Sequence, residues 1–272
     1  NSNNYNNYKN NKISIIVSCY NENNSIEQLL LYIQKNCKYP ANIELILVDG
    51  GSTDNWWHKL PTFVTAGKNK KMDGLITYDI IYVGFDKHKV SGRGTCQNIG
   101  TQYASYDILL FLHCDTIVCK HFDDIAINAI NNISNLVIGS WQFSLDRGKC
   151  PYPLPGLLTL EKRVKLRTKL FLCPYGDHGY FMTKDMCTKL GGIPNQCIME
   201  DYEFISKARK YMFENNGYIY IDSNPFYTCP KKWYKSGRVW KNTIRNQIVC
   251  FLYDYMDYAP SKIYEIYYGK KL

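Results

Sequence analysis

Short, β-branched apolar runs recur along the first half of the chain at Lys12–Ser18, Ile43–Val48 and Asp107–Leu112, at intervals too long for hairpins. Apolar residues at successive positions, not alternate ones, are expected of strands buried on both faces, as in a parallel sheet. Tyr78–Val83 predicts a further strand. Between the first two runs, Ser25-Ile-Glu-Gln28 has capping-box spacing, and Ile26, Leu29, Leu30 and Ile33 follow at helical period. Gly92–Ser105 predicts a second helix before the strand ending at Leu112. The first half therefore reads as βαβ units repeated.

In open parallel sheets ligands bind beyond the carboxyl ends of the strands, so the residues just after each run carry the chemistry. They are polar: Cys19-Tyr-Asn-Glu22 after the first, Asp49-Gly-Gly-Ser-Thr-Asp54 after the second, and His113-Cys-Asp115 after the fourth. No GxGxxG follows the first strand, and Gly92-Arg93-Gly94 lacks the third glycine, which argues against a dinucleotide cofactor. The Pro-rich stretch Cys150–Gly156 predicts a hinge or linker into a less regular half. That half holds a basic helix candidate, the loop Gly176-Asp-His-Gly179 and a helix starting near Asp201, with Phe204, Ile205, Ala208, Tyr211 and Met212 on one apolar face. Val239–Asp257 is helical in pattern and rich in Trp, Tyr, Ile and Phe, which predicts core packing; a membrane-facing role is the alternative.

Composition sharpens the picture. The 272 residues suit one large domain, and 45% hydrophobic content with 24 tyrosines is that of a packed globular protein. Residues 1–11, seven of them Asn, are expected to form a disordered tail, followed by a single domain over 12–272 whose halves are 12–116 and 117–272. Eleven cysteines without a CxxC pair predict reduced thiols. With no long apolar span, and with Asn23-Asn24-Ser25 and Asn132-Ile133-Ser134 as acceptor patterns that a secretory lumen would glycosylate, the expected place is the cytoplasmic side. The net charge of +9 concentrates in Lys162–Lys169, with five cations, and Lys231–Arg245, with six and no acid. Such runs suit phosphate-bearing partners or the cytoplasmic face of a membrane, or form solvated helix faces. No zinc-finger spacing, RNP-like strand or basic recognition helix supports nucleic acid.

Ser14-Ile-Ile-Val, Tyr20-Asn-Glu22, Val48–Asp54, Gly92-Arg93 with Asn98 and Gly100, Leu109–Thr116, Tyr175–Phe181, Leu190-Gly-Gly-Ile-Pro194, Met199-Glu-Asp201 and Lys232-Trp233 occur in one order over about residues 13 to 250. This set resembles the family 2 glycosyltransferases, and is similar to a bacterial-type subgroup with His-x-Asp in place of Asp-x-Asp. The resemblance implies an α/β GT-A fold: a mostly parallel, Rossmann-like nucleotide-binding sheet flanked by helices, with an irregular acceptor-side second half. It also implies a nucleotide-diphosphate-sugar donor, a divalent metal and inversion at the anomeric carbon. A hexosyltransferase acting on a lipid-linked or glycan acceptor is the expected activity; a catalytically weak nucleotide-sugar-binding or scaffold protein is the competing one.

Each chemical need then has a candidate. Asp49 can accept hydrogen bonds from a base N–H or ribose hydroxyl, with Tyr20 and Glu22 alongside, whereas Asp49 and Asp54 otherwise read as residues of a Gly-containing turn. Arg93, opening a helix beside glycines, is a phosphate candidate, and Lys231, Lys232 and Trp233 lie where relatives place Arg-rich and Trp residues against the diphosphate. The resemblance adds Asn98 to the donor side. Asp115 offers hard oxygen for Mg²⁺ or Mn²⁺; His113 suits only Mn²⁺, and a strand-end histidine is more commonly a packing or hydrogen-bonding residue. Asp201 at a helix N-terminus reads as an N-cap by propensity and as the general base by resemblance, with Glu200 in the same acidic pair. Asp177 and His178, in the acceptor-side loop, are the second-choice acid–base residues.

Overall fold

The computed structural model describes residues 11–59, 79–83, 92–149, 152–230, 233–234 and 239–269. The Asn-rich tail, Lys231, Lys232, Tyr78, Cys150 and Pro151 thus lie outside the described residues, apart from Asn11. The strands are β1 (Ile13–Cys19), β2 (Ile43–Asp49), β3 (Asp79–Val83), β4 (Ile108–His113), β5 (Leu136–Leu145), β6 (Tyr180–Thr183) and β7 (Tyr218–Thr228). They form one sheet in the order β3-β2-β1-β4-β6-β5-β7. β3, β2, β1 and β4 run parallel; β6 is antiparallel to both β4 and β5, and β7 is parallel to β5.

The predicted strands of the first half are each present to within a residue or two. Every residue of β2 is buried, with Glu44 accepting from the Ser14 hydroxyl and the apolar residues Leu45–Val48 filling the layers on both faces. Alternate side chains feed two layers. Ile13, Ile15 and Val17 of β1, with Leu110 and Leu112 of β4, pack under helices α1 (Ile26–Asn36) and α3 (Phe122–Asn132). Ile16, Ile46, Leu109 and Phe111 face the opposite side, where α2 (Arg93–Tyr103) and α6 (Glu200–Glu214) cover them. Full burial of an aliphatic side chain of this size stabilises by about 1.5–3 kcal/mol, so these layers fix the sheet and with it the loops at its carboxyl edge.

Three local expectations change. The capping box at Ser25 is not formed: its side chain makes no cap bond, and the Glu22 carbonyl instead accepts from the Ser25 and Ile26 N–H groups, so a backbone turn starts α1. The stretch after Cys150 does not run free, because Leu154 packs with Phe143 and Leu145 of β5 and with α4 (Leu157–Phe171). The long C-terminal helix α7 (Val239–Tyr255) buries only Val239, Asn242 and Val249 among its residues. Leu252 and Tyr253 pack partly buried against the cluster around Val249, but Trp240, Ile244, Ile248, Phe251 and Tyr255 stay exposed and are not core. The helix leads into α8 (Pro260–Tyr268), whose Ile263 and Tyr267 pack against Val249. No disulfide links the ten described cysteines, in keeping with reduced thiols, and no helix among the described residues is long and apolar enough to cross a membrane.

Candidate active site

The carboxyl ends of β1, β2 and β4 converge because the three strands are in register, with Cys19 opposite Asp49 and Ser18 opposite His113. Above them lies a cleft of about 1200 Å³ that reaches Tyr20, Glu22, Arg93, His113, Asp115 and Asp177, and continues past Glu200 and Asp201 to Trp233. Sequence-distant polar residues are thus gathered onto one sheet edge.

Arg93 is the hub. As the first residue of α2 it aims its guanidinium across the cleft, with Nε donating to Glu200 Oε1 at 2.5 Å, Nη1 lying 2.6 Å from His113 Nε2, and Nη2 3.5 Å from Asp201 Oδ2. Burial alone would favour the neutral guanidine, but Glu200, Asp201 and Asp177 outweigh it and hold the group more firmly charged than usual. Arginine only donates, so His113 Nε2 must accept, which leaves Nδ1 to donate to Asp177 Oδ1 at 3.1 Å. Both ring nitrogens are therefore engaged, and His113 links Arg93 to Asp177. Close approach is required here: a Cβ on Gly176 would fall 2.6 Å from His113 Nε2, and one on Gly94 would fall 2.2 Å from the Pro194 carbonyl oxygen.

Asp201 is not an N-cap. That position is Met199, held in the left-handed region at φ 68°, and Asp201 is the second residue of α6. Backbone strain of this kind in a bulky residue persists only where packing overrides it, and Met199 is buried against Val249 and Ile263. The turn it makes throws Glu200 and Asp201 toward the cleft. Asp201 Oδ2 accepts from the Gly176 N–H at 3.2 Å and Oδ1 from the Tyr202 N–H at 2.8 Å, while the side chain keeps 23% of its surface exposed. Glu200 is only 6% exposed and its carboxylate is taken by Arg93, so it is the less accessible of the pair. Asp177 is far more open than Glu200 or Asp201, at 56%. His178 is buried, donates from Nδ1 to the Trp141 carbonyl at 2.9 Å, and is pushed down to about 4 by burial; it is neutral near pH 7 and unsuited to the acid role.

On the donor side, Asp49 is buried and already engaged: the Trp56 indole N–H donates to Oδ1 at 3.0 Å and the Ser52 N–H reaches Oδ1 at 3.2 Å. Asp54 ties two loops, accepting from the Asn23 N–H at 2.9 Å and the Trp56 N–H at 3.3 Å, which is the turn reading of that residue. Asn98 does not reach the cleft: its amide donates to the Ile193 carbonyl at 2.7 Å and accepts from the Ile193 N–H at 2.9 Å, so it clamps the Leu190–Pro194 turn to α2. Trp233 lines the cleft while packing with Phe143 and Leu160. Sequence reasoning passed over Trp56, and it marked Gly176 only as part of the Gly176–Gly179 loop. The only signal for Trp56 was its position two residues after Asp54 on the same loop.

A divalent cation is tested by the carboxylates present. Asp115 sits half-buried at the cleft floor, and its carboxyl is raised above the ordinary range by burial, with repulsion from Asp177 adding to it. A carboxylate so placed is short of a cation. No group of three His, Cys, Asp or Glu among the described residues forms a cage. This arrangement fits Mg²⁺ or Mn²⁺ held by one carboxylate together with substrate phosphates, and does not fit an all-protein site.

Among curated proteins, the chain is 32% identical over 106 residues to the poly-beta-1,6-N-acetyl-D-glucosamine synthase of Staphylococcus aureus, a stretch covering 39% of this chain and 22% of the synthase. It is 50% identical over 46 residues to the undecaprenyl-phosphate 4-deoxy-4-formamido-L-arabinose transferase of Proteus mirabilis, covering 16% of this chain and 14% of that one. The matches thus span less than a quarter of those relatives' length. Among solved structures, the mannosyltransferase PcManGT of Pyrobaculum calidifontis, in complex with GDP-Man and Mn²⁺, superposes with a TM-score of 0.59 at 18% identity, over 95% of this chain and 68% of that one. Residues 1–349 of S. aureus TarS in complex with UDP-GlcNAc give 0.59 at 15% identity, over 96% and 73%. These likenesses bear out the expected α/β GT-A architecture. The family model described as Glycosyl transferase family 2 matches residues 14–185, and the chain belongs to that family.

Proposed function

We propose that the protein transfers a sugar from a nucleotide-diphosphate donor to an acceptor hydroxyl with inversion, with Asp201 as general base. The observation that carries this reading is the placement of Asp201: a partly exposed carboxylate in the first turn of α6, facing the same cleft as Asp115 and Arg93. Its Oδ2 accepts from the Gly176 N–H at 3.2 Å and lies 3.5 Å from the Arg93 guanidinium, which together hold the carboxylate in place at the cleft. In the step itself the acceptor oxygen attacks the anomeric carbon from the face opposite the leaving group. Its proton passes to Asp201, and the bond from that carbon to the diphosphate oxygen breaks, releasing the nucleoside diphosphate.

Asp115 would hold the divalent metal, which when bound supplies Lewis-acid neutralisation of the departing diphosphate. His113 orients Arg93 and Asp177. Asp49, with its Trp56 and Ser52 partners, shapes the donor pocket beside Tyr20 and Glu22, and Trp233 walls the acceptor side. The neighbours' ligands, GDP-Man with Mn²⁺ and UDP-GlcNAc, support a nucleotide-sugar donor for this chain. Eleven cysteines without a CxxC pair support a reducing, cytoplasmic-side setting.

Thermal-shift titration with nucleoside diphosphates and their sugars, with and without Mn²⁺, tests the donor assignment, since a ligand raises stability by RT ln(1 + [L]/Kd). The expected result is a Mn²⁺-dependent shift in the wild type that loses its metal dependence in Asp115→Ala. Equal, metal-enhanced shifts in both proteins refute the role of Asp115.

A further inference from the structure

Five apolar residues of α7 stay open to solvent: Trp240, Ile244, Ile248, Phe251 and Tyr255, each between 47% and 77% exposed. At 100° per residue they fall within an arc of about 80°, so they form one continuous stripe. The neighbouring helix α4 repeats the pattern with Leu158, Leu166 and Leu170, each at least half exposed. The two helices are in contact, and the Arg163 guanidinium lies 5.9 Å from the Trp240 ring centroid. An amphipathic helix ordinarily turns such a stripe inward, yet α7 gives the core Val239, Asn242 and Val249 instead.

The charges around the stripes say what covers them. Lys162 and Lys169 are exposed on the leucine face of α4, and Lys241 is exposed at the margin of the α7 stripe with Arg245 beyond it. The sole acid of α4, Glu161, is buried and paired with Arg147 and Lys165. Asp254 and Asp257 lie toward the far end of α7, and Asp254 is taken by the Tyr202 hydroxyl. Protein interface cores are depleted of lysine, whereas at a bilayer the lysine stem covers apolar surface and its ammonium reaches lipid phosphates. With 17 residues, α7 is about 25 Å long and carries charges, so it can lie in an interface but does not span one.

We propose that the exposed faces of α4 and α7 dock on an anionic phospholipid surface, with both helices in the interfacial plane. Trp240, Phe251 and Tyr255 also line the cleft, so this face meets the site's mouth at the lipid boundary.

Co-flotation of the full chain with phosphatidylcholine vesicles, and with phosphatidylcholine–phosphatidylglycerol vesicles, tests this. Binding is expected only to the anionic vesicles, weakening as salt rises. Ile244→Gln with Ile248→Gln should lower the partition coefficient about tenfold or more, and Lys162→Gln with Lys169→Gln by about tenfold, since each cation near an anionic surface and each buried aliphatic contributes on that scale. All four positions are exposed, and unchanged circular dichroism confirms that the variants fold. Brominated-lipid quenching of tryptophan fluorescence should be reduced in Trp240→Phe. Absence of anionic-vesicle binding overturns the proposal, as does binding untouched by either pair or lost only with the lysines. A concentration-dependent dimer abolished by the Ile pair overturns it too, by assigning the stripe to a second copy of this chain.

Discussion

Replacing Asp201 with Asn separates its proton-accepting capacity from its other roles. In the folded protein Oδ2 takes the Gly176 N–H and faces Arg93, and Oδ1 takes the Tyr202 N–H. Asn can present its carbonyl to only one of these donors, and its NH₂ is set against the other, a loss of about 1 kcal/mol for one hydrogen bond. The ion pair with Arg93 spans 3.5 Å between side chains 34% and 23% exposed, so solvent screening keeps its loss to about 0.5–1 kcal/mol. The variant should therefore be about 1–2 kcal/mol less stable by denaturant melting and bind donor almost normally. Transfer should fall by about 10²–10⁴ in kcat, the range of general-base catalysis, or roughly 3–5 kcal/mol of barrier. The assay is single-turnover transfer at saturating donor, alongside calorimetric donor binding to both proteins. A variant with kcat within about twofold of wild type refutes the base assignment and moves it to Asp177, which is far more open than Glu200.

Further outcomes follow from the same geometry. Trp56→Phe removes the indole donor from buried Asp49 and should cost about 1–3 kcal/mol in thermal stability with weaker donor binding; unchanged donor affinity would detach Asp49 from the donor pocket. Gly176→Ala drives a methyl to 2.6 Å from His113 Nε2, so it should displace the His113–Arg93 contact and reduce kcat more than it reduces donor affinity; wild-type kinetics would show that contact to be dispensable. His178 is pushed down to about 4 from its ordinary 6.5, so below pH 6.5 the unfolded chain binds the proton first. Stability should accordingly decline as pH falls from 6.5 to 4, by a total on the order of 3 kcal/mol, and level off below. Urea melts across that range check this, with His178→Phe expected to flatten the slope.

What the sequence by itself determined is everything governed by local periodicity and by strand-end position. Short, mostly apolar runs marked β1, β2 and β4 to within a residue or two, and the parallel βαβ reading followed from their spacing. Because ligands meet such sheets at the strands' carboxyl edge, Tyr20, Glu22, His113 and Asp115 could be placed on the cleft before any coordinates. The buried face of α6 was legible for the same reason, since its apolar spacing is a property of the helix alone.

Tertiary structure decided which partner each polar group takes. Arg93 and Glu200 are 107 positions apart, and nothing in either neighbourhood announces that they meet at 2.5 Å. His113 read first as a hydrogen-bonding residue and second as a ligand, and only the fold shows that its ring nitrogens meet Arg93 and Asp177. Asn98 and Asp54 carried family-motif positions yet spend their hydrogen bonds on turns, because a carboxylate or amide bonds whatever N–H the packed loops bring nearest. For α7, periodicity defined an apolar stripe but could not say what covers it. Burial depends on what other elements pack there: α8 packs with Val249, and Val239 joins the α4 and β5 cluster, while Trp240, Ile244, Ile248, Phe251 and Tyr255 face outward.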